Sequence, residues 1–116
     1  MTRQRAERSG RRGEALAAWY LRLKGWRILA RRVRSARGEI DLIARRGRTV
    51  VFVEVKWRRT ADELASALDH HRLRRVAACA EAVAARYMST GDTMRIDAIL
   101  LAPRRWPRHI ANASLA

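Results

Sequence analysis

With 116 residues, 48% of them hydrophobic, the chain is long enough for one domain with one modest core and too apolar for a disordered tail. No apolar run approaches the roughly 20 residues of a membrane span, and the basic N-terminus, MTRQRAERSGRRGE, leads into no apolar stretch with a cleavage site, so no secretory signal is read. The net charge of +15 implies a polyanionic partner, most simply nucleic acid; solubility and a membrane surface are the blander readings.

Residues 1–12 are polar and Arg-rich and are expected to form a flexible basic arm ahead of a single domain over 13–116. In GEALAAWYLRLK, residues 13–24, Leu16, Trp19, Tyr20 and Leu23 recur at helical spacing and Gly25 supplies a stop, which predicts a first helix. Trp26–Val33 predicts a strand, and Arg34–Arg37 a basic connection. Glu39–Ala44 and Val50–Trp57 are the clearest strands, and Gly47-Arg48 between them suits a two-residue type II′ turn. Residues 58–68 read as a connection. Asp69 suits a helix cap, and Leu73, Val76, Ala80, Val83 and Tyr87 carry a helix to about Met88. Ser89–Thr93 is a loop, Met94–Leu101 a last strand, and Pro103 and Pro107 break up the tail. The order α-β-β-β-α-β predicts an α/β fold, a mixed sheet flanked by helices. Cys79 is the only cysteine, which excludes an internal disulfide, and no Cys/His cluster suggests zinc; a cytoplasmic protein is expected.

The hairpin poses a question, because Glu39, Asp41, Glu54 and Lys56 sit inside its strands. With the turn at Gly47-Arg48, Ile40 faces Val55, Leu42 faces Val53 and Ala44 faces Val51, giving one apolar side. On the other side Ile43 faces Phe52, Asp41 faces Glu54 and Glu39 faces Lys56. Glu39/Lys56 reads as a structural ion pair across the strands. Asp41/Glu54 does not: facing carboxylates repel at Cβ separations of about 4.5–5.5 Å. A neighbouring arginine, a protonated carboxyl or a hard divalent cation relieves the repulsion, and Mg²⁺ takes one or two carboxylates together with water and phosphate oxygens. The register leaves a metal site and a solvated charged face equally open. Of the 26 basic residues 24 are arginine, so a lysine at position 56 invites a role specific to an amine.

GEIDLIA followed by VFVEVKWR, with GEALAAWYLRLKGW before and MRIDAILL after, resembles the UPF0102 family of small bacterial proteins. The same residues are similar to the PD-(D/E)xK nuclease superfamily, whose members place an Asp and a Glu-x-Lys on adjacent strands, and to archaeal Holliday-junction resolvases. The resemblance runs from Gly13 to near the C-terminus. It implies a restriction-endonuclease-like core and an endonuclease, dependent on Mg²⁺ or Mn²⁺, that hydrolyses phosphodiester bonds in branched or structured DNA. It makes Asp41 and Glu54 the metal ligands, with the backbone carbonyl of Val55 as a further one. Lys56 then orients or helps deprotonate the attacking water, and Glu14 is the acidic residue contributed by the first helix. Helix geometry puts Glu14 away from the Leu16/Trp19/Tyr20/Leu23 stripe, near Ala17, Ala18 and Leu21, where an acidic first-turn residue favoured by the helix dipole is its other reading. Arg72, in DHHRLRR, stands where the family carries a lysine, while His70 and His71 are read as cap or surface residues. The ending ANASLA lacks the family's usual aromatic. A symmetric homodimer is implied by the resemblance alone.

Arg31, Arg32, Arg34 and Arg37 before the motif, Arg45, Arg46 and Arg48 at the turn, Arg58 and Arg59 after it, and Arg72 form the expected phosphate-gripping set. No recognition helix or zinc finger promises base readout. Trp19, Trp26 and Trp57 are expected in the core; Trp106, in PRRWPRH, is assigned to the core ahead of a base-stacking role. A nucleic-acid-binding module without chemistry and a basic protein-interaction subunit are the alternatives to the nuclease.

Overall fold

The computed structural model describes residues 3–59 and 70–113, and of residues 3–12 the backbone alone. In chain order the elements are α1 (Arg3–Leu23), β1 (Arg27–Ser35), β2 (Gly38–Arg46), β3 (Thr49–Trp57), α2 (His70–Tyr87), β4 (Thr93–Leu101) and β5 (Arg108–Ile110). The five strands form one sheet in sequential order. β1, β2 and β3 pair antiparallel, β4 runs parallel to β3 after the α2 crossover, and β5 pairs antiparallel with β4. The mixed α/β architecture is therefore the expected one, with one short strand added beyond the two prolines of the tail.

α1 and α2 cover opposite faces of the sheet. Ile43, Val50, Phe52, Ile96 and Ala98 pack with Leu73, Val76, Cys79, Ala80 and Val83 of α2. Leu42, Ala44, Val51, Val53, Ile99 and Leu101 pack with Ala17, Ala18 and Leu21 of α1. Period-2 alternation in β2 and β3 feeds both layers, which is why these strands read as almost continuously apolar.

Three readings change. Helical backbone begins at Arg3, so α1 extends back through residues 3–12. Gln, Arg, Ala and Glu dominate that stretch, and all sustain a helix without an apolar stripe. Second, α1 does not bury its bulky stripe. Ala17, Ala18 and Leu21 are fully buried, while Trp19 and Leu23 are exposed. Small residues let the helix lie close on the sheet: a Cβ at Gly13 would meet Leu101 Cδ1 at 3.5 Å and Val55 at 3.8 Å. Third, Trp57 and Trp106 are exposed too, and of the four tryptophans only Trp26 is core. The Asp69 cap falls outside the described residues.

The hairpin turn is as expected: Gly47 has φ +60 and Arg48 does not share it, the pattern of a type II′ turn. Arg45 fastens this end. Its guanidinium donates to Asp92 Oδ2 at 2.6 Å and to the Tyr87 carbonyl at 3.1 Å. At the far edge, Asp97 is fully buried and accepts from Arg95 at 2.9 and 2.8 Å, bonds His109 Nε2 at 2.6 Å and accepts from the Asn112 amide at 3.1 Å. Burial pushes that carboxyl up, but the His109 and Arg95 bonds outweigh it and hold Asp97 below the usual carboxylate range. That network ties β5 to β4.

Gly38, where β1 turns into β2, sets how closely α2 approaches. A Cβ there would lie 2.8 Å from the Arg75 carbonyl oxygen, a backbone atom that cannot swing away. Gly38→Ala is expected to destabilise the fold by roughly 1–3 kcal/mol in urea denaturation. A variant as stable as the parent shows that α2 does not rest on this contact.

Candidate functional site

The register predicted for the hairpin holds from Arg46/Thr49 to Leu42/Val53 and then stops. Beyond that point β2 stays paired with β1, and β3 stays paired with β4. The two strands therefore part where the charges begin. Asp41 bridges the opening: its Oδ2 accepts the Val55 amide at 2.7 Å, replacing the ladder bond that β2 no longer supplies. In an extended strand a residue's N–H and C=O point toward the same neighbour, so the Val55 carbonyl is directed into the same gap.

β2 also changes face here. Leu42 and Ala44 lie in the α1 layer and Ile43 in the α2 layer, yet Ile40 lies in the α2 layer as well. Strict alternation put Ile40 with Leu42, and the break falls on Asp41. The neighbouring strand is irregular at the same level. Arg31 pairs with Leu42 and Val33 with Ile40, but Arg32, between them, has φ +52 and makes no ladder pair. A left-handed non-glycine residue in a strand is strained, and its side chain is thereby aimed at Glu14: Arg32 Nε to Glu14 Oε2 is 2.7 Å.

Glu14 is buried, on the small-residue face of α1 that packs on the sheet. Glu54 is buried on β3 and faces two cations, Arg72 Nε at 2.9 Å and Lys56 Nζ at 3.3 Å from its Oε1. Both reach that oxygen off-axis, so it accepts no well-directed hydrogen bond. Glu39, Asp41, Glu54, Arg72, Arg75 and Val76 line a cleft of about 410 Å³. Glu14 and Lys56 are not on its wall. They join it through partners, Glu14 by its field on Asp41 and Lys56 through Glu54.

The electrostatics follow from burial. Asp41 is pushed up to about 6, first by desolvation and then by the nearby charges of Glu14, Glu54 and Glu39, against the pull of the Val55 amide. Lys56 is held below its ordinary value by burial and by Arg72 and Arg58, against the attraction of Glu54. The site thus concentrates carboxylates that repel one another and an amine that loses its proton more readily than a solvent-exposed lysine.

Two expectations are corrected. Glu39 and Lys56 do not pair: Glu39 lies 3.7 Å from Arg34 and Lys56 is taken by Glu54. The strands diverge before that level, so the facing geometry never forms. The basic turn is also at the wrong end. Arg45, Arg46 and Arg48 stand level with positions four to six residues before Glu54 on β3, roughly 13–20 Å at the usual rise. Arg45 is bound to Asp92, and Arg46 lies 4.4 Å over the Trp26 ring and bonds the Lys24 carbonyl. Arg34, Arg37, Arg58, Arg59 and Arg72 lie at the carboxylate end of the sheet, and all but the half-buried Arg58 are exposed. Arg75 was not singled out for the site, and Arg32 only as one of the phosphate-gripping arginines. No spacing reveals them, because Arg32 depends on a left-handed residue and Arg75 on helix packing.

The family model for the uncharacterised protein family UPF0102 matches residues 13–101. The chain belongs to the UPF0102 family. A UPF0102 protein of Erythrobacter litoralis is 64% identical over 97% of both chains, and one of Sphingopyxis alaskensis is 59% identical over 97% of both. Among solved structures the chain is similar to Archaeoglobus fulgidus Hjc, a Holliday junction resolvase, with a TM-score of 0.59 over 90% of this chain and 73% of that one. Identity there is 21%, so what is shared is the fold. Among the described residues no helix is long and apolar enough to cross a membrane.

The raised Asp41 pKa carries a stability consequence. Between about pH 4 and 6 the folded chain binds a proton at Asp41 that the unfolded chain has released, so this group costs stability as pH rises through that window. Asp41→Asn keeps an acceptor for the Val55 amide and removes the charge. In metal-free buffer at pH 8 the variant is expected to be more stable than the parent by about 3 kcal/mol, with the gap closing below pH 4. A gap that is flat across this range shows that Asp41 is not strained by its neighbours.

Proposed function

We propose that this UPF0102 protein is a metal-dependent endonuclease that hydrolyses phosphodiester bonds in structured DNA in the cytoplasm. The observation that carries the reading is the opened strand pair: Asp41 and Glu54 line one cleft where β2 leaves β3, and Asp41 takes the Val55 amide there. Among the described residues no three His, Cys, Asp or Glu side chains assemble as a preformed metal site. Mg²⁺ does not need them; it takes one or two carboxylates and completes its shell with water and phosphate oxygens. The donor set fits such an ion, since Glu54 Oε1 is buried without a directed bond and Asp41 is raised by burial and then by its carboxylate neighbours. Asp41, Glu54 and the Val55 carbonyl would hold Mg²⁺ or Mn²⁺. When bound, the ion supplies phosphate polarisation and a more acidic water.

The chain's own residues do the rest. Lys56, beside Glu54, holds the attacking water by hydrogen bond and offsets phosphate charge; its lowered pKa eases proton transfer in a way an arginine does not offer. Arg72 reaches Glu54 from α2 on the wall of the cleft and adds positive charge there for the phosphates. Glu14 and Arg32 form a positioning pair that keeps negative field on Asp41. Arg34, Arg37, Arg58 and Arg59 grip flanking phosphates without reading sequence. The likeness to a resolvase fold supports branched DNA as the first substrate to try.

A second reading has one observation on its side. Lys56 and Arg72 already neutralise Glu54, which is what a binding module without chemistry would show. Two measurements separate the readings. Four-way, flapped, linear and single-stranded DNA, and RNA, are incubated with the protein and Mg²⁺ or Mn²⁺. Cleavage is expected, reduced about 100-fold or more in Asp41→Ala and Lys56→Ala and unchanged in Arg48→Ala. Undiminished cleavage in both site variants would falsify the assignment. Separately, Mg²⁺ is expected to raise the melting temperature of the parent and not of Glu54→Gln. No cleavage on any substrate, with no cation effect on melting, leaves the binding module.

A further inference from the structure

The residues that α1 leaves outside its packed face meet a second aromatic surface. Trp106 is 72% exposed, Trp19 46% and Trp57 39%. Together with Leu16, Arg104 and Arg105 they line an open groove of about 390 Å³. The rings of Trp19 and Trp106 are parallel to within 5°, with centroids 6.3 Å apart, and Tyr20 lies 6.5 Å from Trp106. In the loop that carries Trp106, Arg104 holds φ +62, a left-handed conformation that costs a non-glycine residue energy. Pro103 and Pro107 bracket that loop, so Trp106 is presented by a stiff segment and not by a loose tail.

Isolated exposed aromatics are ordinary, but three indoles around one groove mark a binding surface. Two occupants suit flat apolar rings: a second copy of this chain, or a row of unpaired nucleobases. Charge decides between them. Among the described residues no carboxylate lines the groove. Two copies packed there would bring Arg104 and Arg105 of each together without a lining carboxylate to neutralise them, on chains that each carry +15. A single-stranded nucleic acid satisfies both features, since its bases stack on indoles and its phosphates meet guanidinium groups.

We propose that the Trp19/Trp57/Trp106 groove binds unpaired bases of a single-stranded nucleic-acid segment. The position relative to the carboxylates fits. Trp57 directly follows Lys56 at the end of β3, so the groove on the α1 side and the carboxylate cleft on the α2 side open at the same end of the sheet. The inference deepens the nucleic-acid reading above, on which it rests, by specifying a substrate with an unpaired arm beside its duplex.

The test measures binding and not cleavage. Fluorescein-labelled oligothymidylate of about 15 nucleotides and a blunt duplex are titrated with the full chain in EDTA, followed by anisotropy and by intrinsic tryptophan fluorescence. The parent is expected to bind the single strand with quenching of its tryptophans. Trp106→Ala is expected to lose about tenfold in single-strand affinity and to keep duplex affinity within about twofold. Arg104→Ala/Arg105→Ala is expected to flatten the salt dependence of single-strand binding. Equal single-strand affinity in Trp106→Ala and parent overturns the groove while leaving duplex binding, and so the broader reading, intact. Failure of the parent to bind either probe overturns both. Sedimentation showing a parent dimer that Trp106→Ala dissociates, with single-strand affinity unchanged, assigns the groove to a second copy instead.

Discussion

One hydrogen bond, from the Val55 amide to Asp41 Oδ2, shapes the end of the sheet that everything else uses. When β2 leaves β3 after Leu42/Val53, the Val55 amide loses its ladder partner. A buried amide left without an acceptor costs roughly 1–3 kcal/mol. Asp41 supplies the acceptor from its side chain, and the strands can stay apart. The gap that results is polar on both sides, with carboxylates from β2 and β3 and a backbone carbonyl turned into it. The same arrangement is unfavourable for Asp41, whose charge is buried among others of its sign. Lys56, Arg72 and Arg32 relieve the cluster only in part, because two of them act on Glu54 and the third on Glu14.

The two helices contribute to this site in different ways. α1 approaches the sheet through Gly13, Ala17 and Ala18, and that closeness is what buries Glu14 beside Asp41's charge. Large side chains on this face would hold the helix farther away. α2 approaches on the other side, where Gly38 leaves room for the Arg75 carbonyl, and its first turn delivers Arg72 to Glu54. The close packing of α1 has a second effect: Trp19 and Leu23 are left outside, with Trp19 next to the loop that carries Trp106. One packing choice therefore builds the acidic site and exposes the aromatic groove.

The arginines divide by what they touch. Arg45 clamps the hairpin turn to Asp92, Arg46 covers Trp26, and Arg95 holds Asp97. Asp92 is held well down, at about 2, by the Arg45 guanidinium and the Ser89 amide, as expected for a carboxylate built into a turn. These charges count toward +15 but serve the fold. Net charge by itself overstates the phosphate-binding surface, and the arginines at the carboxylate end are the ones positioned to use it.

Much of this was legible in the chain. Period-2 alternation located the hairpin strands, a glycine at position 47 fixed the turn and so the register, and apolar spacing located α2 and β4. Asp41, Glu54 and Lys56 stood out because charges inside apolar strands need a reason. Other features depended on contacts between residues far apart in sequence. Which stripe of α1 goes inside was decided by fit to the sheet, since small residues pack closer than a hydrophobic count can show, and this moved Trp19 to the surface beside Trp57 and Trp106. The end of the ladder at Leu42, the left-handed Arg32 and the loss of the Glu39/Lys56 pair follow from how β2 twists away between two layers. The sequence by itself determined the strands, the turn and the identity of the central acidic and basic residues, because local spacing and side-chain chemistry suffice for those. Only the tertiary structure decided which of them meet, because meeting depends on where packing forces the strands apart.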